Sequence, residues 1–321
     1  MSFATRLPSW LRPPPVDLAI EITSRRVAVA QVSGGRADTA VSACGSDALP
    51  ADALTPQFIG PNVVRKAAVL DAARRALERA GVKAPRRVAL VVPDSIARVS
   101  LVTLDHVPEK AADLDQVIRF HVKKATPFPI EEARVSHAVV HADAATTTFA
   151  AVVARHDVLG DYEAIPAALG MHAGLVEIAS FNLINAALAS PTPPTGDWLL
   201  VSIAAEATTL AIMRGTSLMF YRHRTAVDNE PLSALVHQTA MYHEDRMGGT
   251  VFSRVVLCGA AAGVGGAEQV RRDLSLRLGL PADGIETRVS SAVRDRLSTT
   301  PDALDMLAAP MGLLLRERQV A

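Results

Sequence analysis

The feature that most narrows what this chain can fold into is a pattern it uses twice. "LAIEITSRRVAVAQV" (Leu18–Val32) is an apolar segment, a tight polar turn at Thr23-Ser24-Arg25-Arg26, and a second apolar segment. "LLVSIAAEATTLAIMRGTSLMFY" (Leu199–Tyr221) repeats the arrangement with a small-residue turn. Short aliphatic and β-branched runs bounded by turn residues read as strands, so each stretch predicts a hairpin. Strands and helices follow each hairpin in a similar order, which predicts an α/β fold built from two related halves.

In the first half, a third strand is expected around Ala37–Cys44 and a proline-punctuated loop over Leu49–Pro61. Val63–Ala80 predicts a helix with Val63, Ala67, Leu70, Ala73 and Leu77 on one stripe, ended by Gly81. Arg87–Asp94 reads as a strand, and "ARVSLVTLDHV" as another whose Val99, Leu101 and Leu104 line one side. A helix over Ala111–Ala125 must stop at Pro127 and Pro129. Strands at Ala133–His141 and Thr147–Ala154, a helix at Val158–Leu169, a strand at Leu175–Glu177 and a helix at Ser180–Ala189 follow. "SPTPPTGD" (Ser190–Asp197) is the linker. The second half continues with a strand at Met219–Arg224, a helix at Pro231–Met247, the strand and glycine-rich loop "RVVLCGAAAGVGG", a helix at Glu268–Leu278 and the apolar "ALDMLAAPMGLLLRE".

Charge removes several function classes. With 33 basic and 33 acidic side chains the formal net charge is +0, so no overall field draws in nucleic acid or an anionic membrane. Two cysteines, Cys44 and Cys258, are too few for a disulfide framework or a cysteine-rich metal site and fit a reducing compartment. No apolar run reaches the ~18 residues of a membrane span. The opening "MSFATRLPSWLRPPP" lacks a secretory h-region, so a cytoplasmic location is expected. Its Phe3, Leu7, Trp10 and Leu11 fall at helical spacing, which suits either an arm packed on its own domain or an amphipathic contact to a partner or membrane surface.

Three tempting constellations fail on spacing. The glycines at 259, 263, 265 and 266 do not form G-x-G-x-x-G. His137 and His141 lie on an expected strand, where they stand about 13 Å apart, too far to share a metal. His237, His243, Glu244 and Asp245 lack histidines at i,i+4 and read as a solvated helix face. No nucleophile elbow and no phosphate-binding P-loop is present, so no catalytic or metal-binding residue is assigned.

Paired hairpins facing each other across a cleft resemble the actin-like ATPases, in which two turns clamp phosphates from opposite sides. The stretch from Arg87 to Val140, with Thr126-Pro127-Phe128-Pro129 before Glu131-Glu132, and the closing "LSTTPDALDMLAAPMGLLLRE", is similar to the PilM family of type IV pilus assembly proteins, related to FtsA. The resemblance runs from about residue 16 to the end. It implies an α/β, actin-like (ribonuclease H-like, duplicated) two-lobed fold with a small α/β subdomain inserted in the first lobe. The expected division is an N-terminal arm at 1–15, a first lobe at 16–190 with the insertion at about 86–155, and a second lobe at 191–321.

The departures from the family pattern shape the functional expectation. The first turn of the family reads Asp-Ile-Gly-Ser, where this chain has Glu21-Ile22-Thr23-Ser24. The second should repeat Asp-Ile-Gly and reads Ser202-Ile203-Ala204-Ala205; the later paired glycines become Gly259-Ala260. A Mg-nucleotide needs oxygen ligands for the metal and N–H donors free of Cβ atoms. The nucleotide contacts, if kept, would come from Glu21, Thr23, Ser24, Arg25, Ala205, Thr208, Thr209 and Gly259.

The resemblance therefore implies a cytoplasmic scaffold or adaptor at the inner-membrane face, a pseudo-ATPase with ATP and Mg doubtful as cofactors. Its expected partner is a PilN-like inner-membrane protein whose short cytoplasmic tail docks as an extended peptide between the core and inserted subdomains. Ile96, Val99, Leu101, Leu104 and Phe128 are the candidate groove residues, with ordinary subdomain core as their other reading. The alternatives are an ATP-binding, slowly hydrolysing switch of the same machinery, a related secretion-system protein, or a sugar-kinase-like enzyme. The last needs a carboxylate at the cleft, for which the sequence offers no clear candidate.

Overall fold

The computed structural model describes residues 16–35, 38–83, 87–226, 230–249, 251–286 and 301–320. The expected N-terminal arm, 1–15, and the first residue expected in the third strand, Ala37, lie outside them.

Two five-stranded sheets share one plan. In the first, the meander β1 (Leu18–Ile22), β2 (Arg26–Ser33) and β3 (Ala40–Ala48) is extended on the β1 side by β4 (Arg87–Val92) and β8 (His172–Ile178), in the order β3-β2-β1-β4-β8. β4 runs parallel to β1, and β8 parallel to β4. In the second, β9 (Asp197–Ile203), β10 (Ala207–Arg214) and β11 (Ser217–Thr225) form the meander, and β12 (Arg254–Cys258) and β13 (Ala282–Asp283) add in parallel, giving β11-β10-β9-β12-β13. The chain thus builds a duplicated α/β fold.

Alternation along each first strand sorts its side chains onto two faces. Leu18, Ile20 and Ile22 point into one core with α1 (Lys66–Ala80) and α3 (His156–Ala168); Leu199, Val201 and Ile203 point into another with α5 (Leu232–Met247) and α6 (Ala267–Leu278). The opposite faces, including Ala19, Val91, Trp198 and Leu200, close a shared core around α4 (Ala179–Leu188) and the C-terminal helix α7 (Pro301–Val320). Glu21 and Ser202 lie on these inward faces and open toward the space between the lobes.

α7, placed with the second lobe by sequence order, packs on β1, β2, β4 and α4 of the first. Gly312 sits at its crossing with α4, where a Cβ would stand 2.8 Å from the carbonyl carbon of Asn182 and 2.9 Å from the amide of Ala186. Only glycine permits that approach.

α1 starts at Lys66, so Val63 precedes the helix. Its buried face is Val69, Ala72, Ala73, Ala76, Leu77 and Ala80, turned from the expected stripe; Ala67 is exposed. The cause is close packing on β3: Gly45 lies against the helix backbone near Ala80, and Arg75 and Arg79 reach Asp47 at 2.7 and 2.8 Å.

Between β4 and α3 the chain inserts a three-stranded sheet, β5 (Ala97–Leu104), β7 (Thr147–Arg155) and β6 (Ala133–Ala142), in the order β5-β7-β6, covered by α2 (Ala111–Lys123). It has its own core around Val102, Ile118, Val122 and Phe149. Among the described residues no helix is long and apolar enough to cross a membrane.

Candidate functional site

Two openings lie between the packed units. The first is the cleft where the hairpin turns meet. Glu21, Thr23, Ser24, Arg25, Ala205, Thr209 and Gly259 all line it, whereas Thr208, one residue along β10 and therefore on its other face, does not.

The walls of the cleft are bonded to each other. Ser24 Oγ donates to Glu206 Oε2 at 2.6 Å, joining the two turns directly. Thr209 Oγ1 donates to Asp94 Oδ2 at 2.8 Å and lies 2.9 Å from His223 Nδ1, while His223 Nε2 is 3.2 Å from Ser95 Oγ. Asp94 Oδ1 accepts from the Ser180 amide at 3.0 Å, satisfying an otherwise unpaired donor at the start of α4. Ser180 Oγ and Tyr221 OH, 2.9 Å apart, add another cross-lobe contact, and burial pushes the Tyr221 phenol up.

Deeper in, the Gly259 amide donates to Asp305 Oδ2 at 2.5 Å. Gly259 adopts φ +71°, and a Cβ there would press on the backbone of Ile203. Glu21 faces Arg26 at 3.4 Å; burial raises its pKa, with Arg26 opposing and Asp305 adding to the rise. Burial, reinforced by Asp305, likewise pushes the Cys258 thiol well up, so it is a neutral group and not a nucleophile.

Four carboxylates, Glu21, Asp94, Glu206 and Asp305, thus converge on the cleft, of which sequence reasoning found only Glu21. The others come from separate elements, and no local signal joins them. The remaining cavity is about 180 Å³. Ligand sites run to roughly 300–1,000 Å³. The volume lies below that range, the lining is acid-rich, and the two turns are joined across the cleft by the Ser24–Glu206 hydrogen bond.

The second opening is a groove of about 900 Å³ between the first sheet and the insertion. β6 forms one wall, β8 and α4 another, and Met213, Ser217 and Leu218 of the β10–β11 hairpin reach in from the second lobe. Among the described residues β8 is paired only with β4, so its other edge offers main-chain donors and acceptors. Most of its side chains are only partly covered. Glu177 of β8 and Arg316 of α7, neither legible as a groove residue in the sequence, form an ion pair at its lining.

Of the five groove candidates, Ile96 lines this opening. The others lie elsewhere. Val99 packs beside the α1 and α3 core, and Leu101 against the interlobe core. Leu104 is buried inside the insertion. Phe128 packs there too, 5.2 Å from Phe58, with the Arg155 guanidinium 5.6 Å over its ring. Leu104 and Phe128 face inward because the insertion needs their apolar area for its own small core, whereas Val99 and Leu101 seal it against the neighbouring cores.

The architecture has solved counterparts. The structure described as "PilM-PilN type IV pilus biogenesis complex" matches with a TM-score of 0.73 at 18% identity, covering 95% of this chain and 99% of that one. A Bacteroides thetaiotaomicron protein described as having an actin-like ATPase fold matches with a TM-score of 0.51 at 8% identity, covering 88% and 95%. No curated protein sequence matches significantly. The family described as type IV pilus assembly protein PilM matches residues 19–245, a span holding the first hairpin, the whole insertion and the second hairpin, and the chain belongs to that family.

Proposed function

We propose that this protein is a non-hydrolysing adaptor of the pilus assembly platform. It works at the cytoplasmic face of the inner membrane, holding the short cytoplasmic tail of a PilN-like membrane protein as an extended peptide in the groove beside β8. The contrast between the two openings carries this reading: about 900 Å³ next to an unpaired strand edge, against about 180 Å³ closed by its own side chains. An edge strand supplies main-chain pairing for affinity, and apolar walls supply register. The solved complex of a family relative with PilN supports the partner class.

Calorimetry with a synthetic peptide of the PilN-like protein's tail is the test. Micromolar binding that is lost in Ala138→Arg, an exposed position lining the groove, is the expected result. Equal binding by that variant refutes the location, and no binding by the wild type refutes the adaptor. A second reading, an ATP-binding switch, draws on the four carboxylates around the cleft, which are the oxygen ligands a magnesium ion takes. Low-micromolar heat on titrating Mg-ATP would favour the switch; its absence at that level favours the adaptor.

A further inference from the structure

The two lobes meet in two physically different ways. At the base they share an apolar core around α4 and α7, and among the described residues no strand of one five-stranded sheet pairs with a strand of the other. Across the cleft they are tied by side-chain hydrogen bonds: Ser24 to Glu206, Thr209 to Asp94, and the contacts of Ser95 with His223 and Ser180 with Tyr221. Thr209 has one hydroxyl proton, which goes to the Asp94 carboxylate, so its oxygen accepts from His223 Nδ1. Apolar packing resists water, whereas a polar contact is exchanged for one with water at modest net cost. The cleft side is therefore the side that can part.

Ser24 and Glu206 stand at the outer end of this set. Both are half-buried, while Glu21, Thr209 and Cys258 behind them are buried. The first turn is also closed on itself: the Arg25 and Arg26 amides donate to Thr23 Oγ1 at 3.3 and 3.1 Å, and that hydroxyl donates to the Arg26 carbonyl at 3.1 Å. The Ser24 hydroxyl is then taken by the Glu206 carboxylate at 2.6 Å. An anion entering the cleft meets a turn whose donors are occupied, with a carboxylate of the opposite lobe already in place.

We propose that Ser24–Glu206 is an autoinhibitory latch. The chain's own carboxylate closes the cleft, and release of that bond lets the lobes part locally about the α4–α7 core while each lobe stays folded. The latch is independent of where a tail docks, since Ser24 and Glu206 line the cleft and neither lines the groove.

Cys258 is a native reporter of such opening. It lies in register with Ser202 on β12, lines the cleft and is 3% exposed. A Cys44→Ser background leaves it as the one thiol of the chain. Its reaction with an aromatic disulfide reagent is followed at one fixed pH, at increasing urea below the unfolding transition. A rate that does not change with urea marks local opening, and a rate with the full urea dependence of unfolding marks global unfolding. The expected result is a urea-independent rate that rises about tenfold in Ser24→Ala, the scale of a hydrogen bond to a charged group, with the urea midpoint by circular dichroism little changed. Glu206→Gln, which keeps an acceptor for the Ser24 hydroxyl, should stay within a few-fold of wild type. Two results overturn the latch: a Cys258 rate that follows global unfolding at every urea concentration, or equal rates in Ser24→Ala and wild type.

Discussion

The crossing of α4 and α7 at Gly312 gives the sharpest test of how the shared core is built. In Gly312→Ala the new methyl group would lie 2.8 Å from the Asn182 carbonyl carbon and 2.9 Å from the Ala186 amide, and closer still to the Asn182 oxygen. Non-bonded carbon contacts settle at roughly 3.5–4.0 Å, so the helices must part by on the order of 1 Å. Both neighbours are backbone, and neither can rotate away as a side chain would.

Parting the helices loosens Leu307, Ala308, Leu313 and Leu314, all fully buried. Overpacking costs about 1–3 kcal/mol, and a rigid backbone contact belongs at the upper end. Alanine returns about 1 kcal/mol of helix propensity, leaving a net loss of about 2 kcal/mol. Gly160 in α3 is the matched control: a Cβ there meets nothing within 4 Å, so Gly160→Ala should gain about 0.5–1 kcal/mol. Urea unfolding followed by circular dichroism reads both variants. If Gly312→Ala is as stable as wild type while the control gains, the close crossing does not exist as described.

Thr209→Val keeps the shape of a buried side chain but removes the donor to Asp94 and the contact to His223, and should cost about 1–3 kcal/mol in urea unfolding. Unchanged stability would show that the lobes are not bonded there. Asp197, held by Arg214 and His243, has its carboxyl lowered from 3.8 to about 2. A depressed folded-state value gives stability present above 3.8 and lost as pH falls toward about 2, so the gap in thermal midpoint between wild type and Asp197→Asn should close across that window. A gap that does not change with pH would contradict the assignment.

What could be read from sequence was what local pattern controls. Both hairpins, the Pro127 and Pro129 stop, and the glycine end of α1 follow from short-range sterics and periodicity, and they appear near where those rules put them. The face of α1 was misread because six alanines among its fifteen residues blur the apolar stripe. Close approach at Gly45 then selects which alanines turn inward. The partners of α7 carry no local signature, since an apolar helix does not announce which sheet it will cover. The cleft network was invisible for the same reason: Ser24 and Glu206 are separated by 182 positions, and Thr209 and Asp94 by 115. Glu177 and Arg316 meet only once α7 lies across the first lobe.

The placement of α7 has a consequence for how the chain reaches its native state. Arg318 bonds to Asp17 at 2.6 Å across 301 positions, so the layer under β1 and β2 is closed by a segment made long after those strands. During synthesis, the inward faces of Ala19, Ala30, Val32, Ala89 and Val91 emerge long before their cover does. Contacts of such sequence separation form slowly, and uncovered sheet faces associate. Residues 16–190 expressed alone should therefore aggregate until residues 301–320 are supplied.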